Sequence, residues 1–326
     1  MDDSERALFT ASVEDAVRRT SPASLDRALD ELGWRDALAA DRASAVSVLF
    51  ECQGHANATS TALDDLLLAA LGLDEPAGTA VVLPGVGTWD PPGDVRGRRM
   101  WVHGLGTARL AEATSAVVVA TTGAGSIALR IDTARCHRRP LRGLDETLGL
   151  VAVDADLVGT ELPAPPAQRA AGRDGSWPTA LGIGQLALAH ELVGASTAMI
   201  ELARAHALER VQFGRPVAAF QAVRHRLADT YVAVEAARAL LDAAWEQSTP
   251  HAAAMAKAMA GQAARTAARH CQQVLGGMGF TTEHPLHRYV RRVLVLDELL
   301  GSSRALIRSL GRQLVDSRQL PPLLPL

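Results

Sequence analysis

Two short segments concentrate residue types able to hold an anionic ligand. The first is Glu209-Arg210-Val211-Gln212-Phe213-Gly214-Arg215-Pro216, followed by Phe220-Gln221. Arg210 offers a planar, bidentate fork suited to a pyrophosphate. A plainer reading stands beside it, a polar turn punctuated by Gly214. The second is Gln273-Val274-Leu275-Gly276-Gly277-Met278-Gly279-Phe280-Thr281, with three glycines in four residues. A helix C-cap needs one glycine. The others suit close approach of the backbone to a ligand or to another chain. Cys52, Cys136 and Cys271 stand far apart without metal-type spacing. That spacing predicts no metal centre and no disulfide framework, and it points to a reducing, cytoplasmic setting.

Three textures along the chain must position these segments. Residues 1–73 read as a short N-terminal helical domain, with a capped start over 24–32 and an Ala/Leu-rich stretch over 45–71. Residues 74–162 switch to Val- and Thr-rich runs broken by Gly and Pro, a compact β domain with strands at 80–83, 100–102, 116–120 and 127–131. Residues 163–178, opening near Leu162-Pro163-Ala164-Pro165-Pro166, read as a linker. Residues 179–318 are helical, and 319–326 form a tail. Leu188, Leu192, Ala195, Met199 and Leu202 share one helical face. Phe220, Val223, Leu227, Tyr231, Val234 and Leu241 repeat the pattern in a second helix. A third helix spans 251–274. Pro285 opens a fourth region, which Gly301 interrupts. Long antiparallel helices with short connections imply a four-helix bundle.

Composition excludes several classes. The 326 residues are 48% apolar but only 4% aromatic, and the Ala, Leu and Val behind that excess suit closely packed helices. The net charge of -3 is spread along the chain, with no basic patch for a nucleic acid. No apolar signal core or continuous apolar span for a bilayer is evident.

The order helix, Arg-x-x-Phe-Gly turn, helix, helix, Gln-x-x-Gly-Gly-x-Gly-Phe, Arg-rich helix over 179–316 resembles the C-terminal domain of the flavin-dependent acyl-CoA dehydrogenases. The resemblance implies their fold, α+β but mostly α, with N-terminal helices, a central small β-barrel and a C-terminal four-helix bundle. It also implies FAD. In the family the Arg binds the FAD pyrophosphate, the Phe packs on the adenosine half, and the Gln and second Gly hold that half, largely for a neighbouring subunit. Here these are Arg210, Phe213, Gln273 and Gly277, with Gln212 in place of a Thr or Ser. Gly97-Arg98-Arg99-Met100-Trp101-Val102-His103-Gly104 is similar to the strand whose Trp covers the flavin ring. Trp101 keeps that residue or serves as an ordinary sheet residue, and His103 replaces the Thr that faces flavin N5.

The family removes an α-proton with a Glu while the β-hydrogen leaves as hydride. That base must stand within hydrogen-bond reach of the proton. The two positions at which family members carry it fall on Leu300 and Gly184, so no catalytic residue is assigned. Glu191, Asp297 and Glu298 are the nearby substitutes, and each reads more simply as a solvated or interfacial helix charge. No Thr-Glu-Pro-Gly-x-Gly-Ser-Asp loop is found before the β domain. These features imply a subunit of a heteromeric α2β2 acyl-CoA dehydrogenase that completes its partner's FAD site. Its partners would be a second family subunit, an acyl-CoA substrate and an electron-transfer flavoprotein or similar acceptor. The alternatives are a stand-alone, monooxygenase-like flavoprotein of the same fold and a non-catalytic scaffold.

Overall fold

A computed structural model describes residues 3–19, 22–158 and 176–318. Most of the expected linker and the tail lie outside the described residues. Five helices come first: α1 (Asp3–Arg19), α2 (Pro22–Glu31), α3 (Trp34–Ala40), α4 (Arg42–Ala56) and α5 (Ala62–Ala70). α2 starts earlier than the Ser24 cap predicts, because a helix's first turn tolerates a proline. The Ala/Leu-rich stretch divides after α4. There Asn57 turns to a φ of 50° and its N–H caps the carbonyl of Gly54.

The middle of the chain forms β1 (Ala80–Val82), β2 (Gly93–Arg96), β3 (Arg99–Gly106), the short α6 (Arg109–Glu112), β4 (Ser115–Thr122), β5 (Gly125–Asp132), β6 (His137–Pro140) and β7 (Val151–Val158). The strand order is β1-β4-β2-β3-β7-β6, with β5 on the other edge of β4. Alternation gives this sheet two apolar faces. Val81, Leu83, Leu105, Val117 and Val119 join the helical core. Val82, Met100, Val102, Val118 and Val153 form a second core on the opposite face. The expected barrel is not closed among the described strand pairings. β4 shares one edge between the short β1 and β2, and the ladder ends at β5 and β6 instead of returning on itself.

The last part comprises α7 (Trp177–Glu209), the hairpin β8 (Val211–Gln212) and β9 (Arg215–Pro216), α8 (Gln221–Gln247), α9 (Pro250–Leu275), α10 (Leu286–Glu298) and α11 (Ser303–Ser317). α7 begins at Trp177, inside the expected linker, with Pro178 in its first turn. Leu188, Leu192, Ala195 and Met199 are buried as their spacing predicts. Of the α8 face, Val234 and Leu241 are buried but Tyr231 is exposed. α7 has the length and hydropathy of a membrane span, yet 78% of its apolar window is buried inside the fold. It is the helix around which the others pack.

α4 crosses α7 with backbone against backbone. A Cβ on Gly54 would stand 2.0 Å from the Glu191 carbonyl oxygen, and one on Gly194 would stand 2.1 Å from that of Glu51. Only glycine permits this approach. The crossing fixes the N-terminal helices on the bundle and so sets the space between them.

Candidate functional site

The two positions where the family places its base lie 116 residues apart in sequence, and the fold brings them into contact. A Cβ on Gly184 would meet Leu300 Cδ1 at 2.7 Å and Leu67 Cδ2 at 3.0 Å. Leu300 is 1% exposed and takes a left-handed φ of 54°, unusual for a residue with a Cβ. Gln185 Nε2 donates to the Leu300 carbonyl at 2.9 Å. Lys257, the only lysine of the chain, donates to the carbonyls of Leu296 and Asp297 at 3.1 and 3.0 Å, with Gly301 O at 3.5 Å. Burial pushes this ammonium down to about 8. The carbonyls around the α10–α11 break are thus held by one buried cation.

Leucine fills the place where a base would work. Between α4, the sheet and α7 lies a cavity of about 30 Å³, lined by Phe50, Leu63, Leu83, Leu188 and Leu299 among others. That volume holds a water or two, not an acyl chain. Its polar border is spoken for by Arg292, which is 0% exposed. Arg292 Nε donates to Asp145 Oδ2 at 2.6 Å. Its Nη1 donates to Ala58 O and Glu191 Oε1, and its Nη2 to Thr59 Oγ1 and Thr147 Oγ1. One guanidinium so ties α10 to α7, to the α4–α5 turn and to the loop before β7.

The substitute carboxylates are equally committed. Burial raises the Glu191 carboxyl, against the pull of Arg292. Asp297 is 0% exposed, accepts from Ser303 N and Oγ, and pairs with Arg265 at 2.6 Å. Its Oδ1 lies where a Cβ of Gly261 would be. Of the two expected settings, solvated or interfacial, these two carboxylates take the interfacial one, between packed helices. Both are interior ties, buried because each has a cationic partner. Glu298 pairs with Arg265 at 3.0 Å at the surface of the same cluster.

One element escaped the sequence reading. The loop after β1, Val82-Leu83-Pro84-Gly85-Val86-Gly87-Thr88-Trp89, carries a Pro-Gly-x-Gly run. It lies inside the β domain, after the first strand. Gly87 N donates to Glu298 O at 2.9 Å, and Trp89 packs where a Cβ of Gly301 would stand, at 2.8 Å from Cε3. Gly85 and Gly87 were the signal available. The loop docks on the α10–α11 break.

The groups assigned to a flavin ring do not fit one on this chain. Trp101 is 36% exposed, and the guanidinium of Arg99 stands 4.9 Å from its ring centre with Arg96 at 5.9 Å. Arg99 in turn pairs with Asp156. His103 Nδ1 is 2.6 Å from Asp154 Oδ1. The outer face of β3 is thus engaged with its own ion pairs.

The nucleotide-facing groups fit better. α7 runs up, α8 down and α9 up, so the end of α7, the start of α8 and the end of α9 share one end of the bundle. His206 and His284 rings meet there, centroids 6.4 Å apart. Arg210, Gln212, Phe213, Gln273 and Gly277 are all exposed. Arg210 makes no ion pair among the described residues, and a Cβ on Gly277 would meet nothing within 4 Å. Phe213 and Gly214, with φ of 53° and 77°, form the two-residue turn of the β8–β9 hairpin. Phe213 is 91% exposed, its ring edge-on to Phe220 at 6.1 Å. An exposed aromatic held at positive φ costs about 1–2 kcal/mol, and a strained residue of this kind points to a ligand-facing role.

A family model described as the acyl-CoA dehydrogenase C-terminal domain matches residues 177–315. The chain is 42% identical over 130 residues to the acyl-CoA dehydrogenase IpdE2 of Mycobacterium tuberculosis, covering 40% of this chain and 41% of that protein. It is 39% identical over 129 residues to FadE34 of the same organism, covering 37% of this chain and 18% of that protein. The matched part is thus less than half of these curated relatives. In three dimensions it is similar to a chain of the ChsE4-ChsE5 complex of Mycobacterium tuberculosis, with a TM-score of 0.78 and 22% identity over 99% of both chains. It is also similar to a chain of the Tcur3481-Tcur3483 steroid ACAD G363A variant, with a TM-score of 0.75 and 22% identity over 96% of both. Residues 177–315 therefore match the C-terminal domain of the acyl-CoA dehydrogenases, and the described chain has the acyl-CoA dehydrogenase fold.

Proposed function

We propose that this chain is the base-less subunit of a hetero-oligomeric acyl-CoA dehydrogenase, acting by completing the FAD site of a partner subunit that carries the Glu. The observation that carries this reading is the contact of Gly184 with Leu300, which leaves a filled centre in place of a base and an acyl pocket. FAD, when bound, accepts the β-hydrogen of the acyl-CoA as hydride. The residues of this chain act on its nucleotide half. Arg210 supplies a fork of N–H donors to the pyrophosphate, and Gln273 and the open backbone at Gly277 receive the adenosine. Phe213 covers that half and excludes water. Removal of the α-proton falls to the partner's carboxylate.

Two of the similar solved structures are named as a complex of two proteins, and one as a steroid ACAD. They support a partner of the same family and a bulky or sterol-derived acyl thioester as substrate. An electron-transfer flavoprotein or similar protein would reoxidise the flavin. A stand-alone flavoprotein would need a flavin-ring site, and Trp101 and His103 are engaged elsewhere.

The test is the flavin absorbance of the purified chain, alone and co-expressed with a family member carrying the Glu. Flavin and acyl-CoA dehydrogenation in the co-expressed pair only are expected. A fully flavinated chain that consumes oxygen by itself would overturn the reading in favour of the stand-alone flavoprotein.

A further inference from the structure

A cavity of about 560 Å³ lies between the loop 89–91, the starts of α7 and α9, and α11. Its walls are flat and stiff. Trp89 and Trp177 contribute indoles, and Trp177 Nε1 donates to Trp89 O at 3.0 Å. Pro178 and Pro250 line it as exposed residues. On α11, Leu306 is buried, Leu310 half-buried and Gln313 exposed, so the cavity opens to solvent toward the last turns of that helix. Grooves walled by aromatic rings are the surfaces on which proline-rich segments dock, because a polyproline II strand is already extended and loses little freedom on contact.

The same helix leads to such a segment. Leu306, Ser309, Leu310 and Gln313 follow the spacing of one helical face, and the next position on that face is Ser317. At Arg318 the backbone takes a left-handed φ of 51°, and its N–H closes on Leu314 O, which stops α11 and turns the chain off the helix axis. Then follows Gln319-Leu320-Pro321-Pro322-Leu323-Leu324-Pro325-Leu326, without one ionisable side chain. Leu320, Leu323 and Leu326 recur every three residues, the repeat of a polyproline II strand, which sets all three along one edge. Eight such residues span about 25 Å. Leu306, the far wall, stands about 18 Å back along the helix from Arg318. At the same rise Leu323 reaches about 15 Å, level with Ser309 and Leu310. We propose that residues 319–326 fold back along α11 and dock in this cavity as a proline-rich strap, with the leucine edge against the indoles and Leu310. The strap braces α11 on α7 and α9. It also backs the α10–α11 break, because Trp89 and Leu306 both pack against Gly301. It does not rest on the chain completing a partner's flavin site.

The experiment places cysteine pairs in the full chain and follows disulfide formation under mild oxidation by peptide mapping. Leu324→Cys leaves the three-residue repeat of leucines intact. It is combined either with Ser309→Cys, in the cavity wall, or with Arg308→Cys, one residue away on the exposed face of α11. An undocked tail would meet both positions at similar rates, whereas docking raises the effective concentration at one of them. The 309–324 bond is expected within one chain, roughly tenfold faster or more than the 308–324 bond. Leu323→Asp removes the central leucine of the repeat and should bring the faster rate down to the slower. Equal rates at 308 and 309, a rate unchanged by Leu323→Asp, or a bond that links two chains would each overturn the assignment, the last in favour of a second copy's tail. None of these outcomes bears on whether a partner's flavin needs this chain.

Discussion

The centre of the molecule and the outer end of its helical bundle are built in opposite ways. In the centre, Gly184, Leu300 and Leu67 close on one another, Arg292 joins four segments, and about 30 Å³ is left. At the outer end, Arg210, Phe213, Gln273 and Gly277 are exposed, Arg210 makes no ion pair among the described residues, and Phe213 is strained. Interior packing stabilises a chain by itself, whereas exposed aromatic and cationic groups gain nothing until something covers them. The difference teaches that the centre contributes to stability by its own packing, whereas the exposed groups of the outer end contribute little to the fold by themselves.

The contrast can be broken first at Arg292. Arg292→Met leaves Glu191 and Asp145 buried without their cation, and should cost about 3–5 kcal/mol, read as a lower urea midpoint. A loss below about 1 kcal/mol would mean the centre is not locked as described. Next is Lys257. Lys257→Met leaves carbonyls at the α10–α11 break unpartnered, a cost of about 1–3 kcal/mol. Its folded value of about 8 lies below the ordinary 10.5. The unfolded chain therefore binds the proton more tightly between these values, and stability rises with pH from about 8 to 10.5. Melts at pH 7.5 and 10 should show that rise in the native chain and lose it in Lys257→Met. Smaller still is Gly184→Ala. Its Cβ presses on the ends of two leucines that can shift, so about 1 kcal/mol is expected in the same urea assay. The smallest effect on the fold is at the outer end, where Arg210→Ala should change stability by less than about 0.5 kcal/mol.

Much of this was legible in the sequence, for identifiable reasons. The helical faces of α7 and the strands β1, β3, β4 and β5 announce themselves by apolar periodicity. β2 and β6 were missed because four polar-rich residues carry no period. β7 was missed because Asp154 and Asp156 break its apolar run on the face that turns to solvent. The substitutions Leu300 and Gly184 were readable, but their contact spans the whole C-terminal half and belongs to tertiary structure. The ties of Arg292 were hidden for the same reason, since an Arg in an Arg-rich helix looks solvated. Gly85 and Gly87 were visible, but the docking of their loop on the α10–α11 break belongs to tertiary structure.

The most direct test of the central claim is flavin content per partner subunit in the co-purified complex, comparing the native chain with Arg210→Ala. The account predicts a complex that still assembles, with a variant chain as stable as the native one, but with flavin largely lost and dehydrogenation of acyl-CoA lost with it. Full flavin content and unchanged activity in an assembled Arg210→Ala complex would contradict it, and would leave this chain a scaffold.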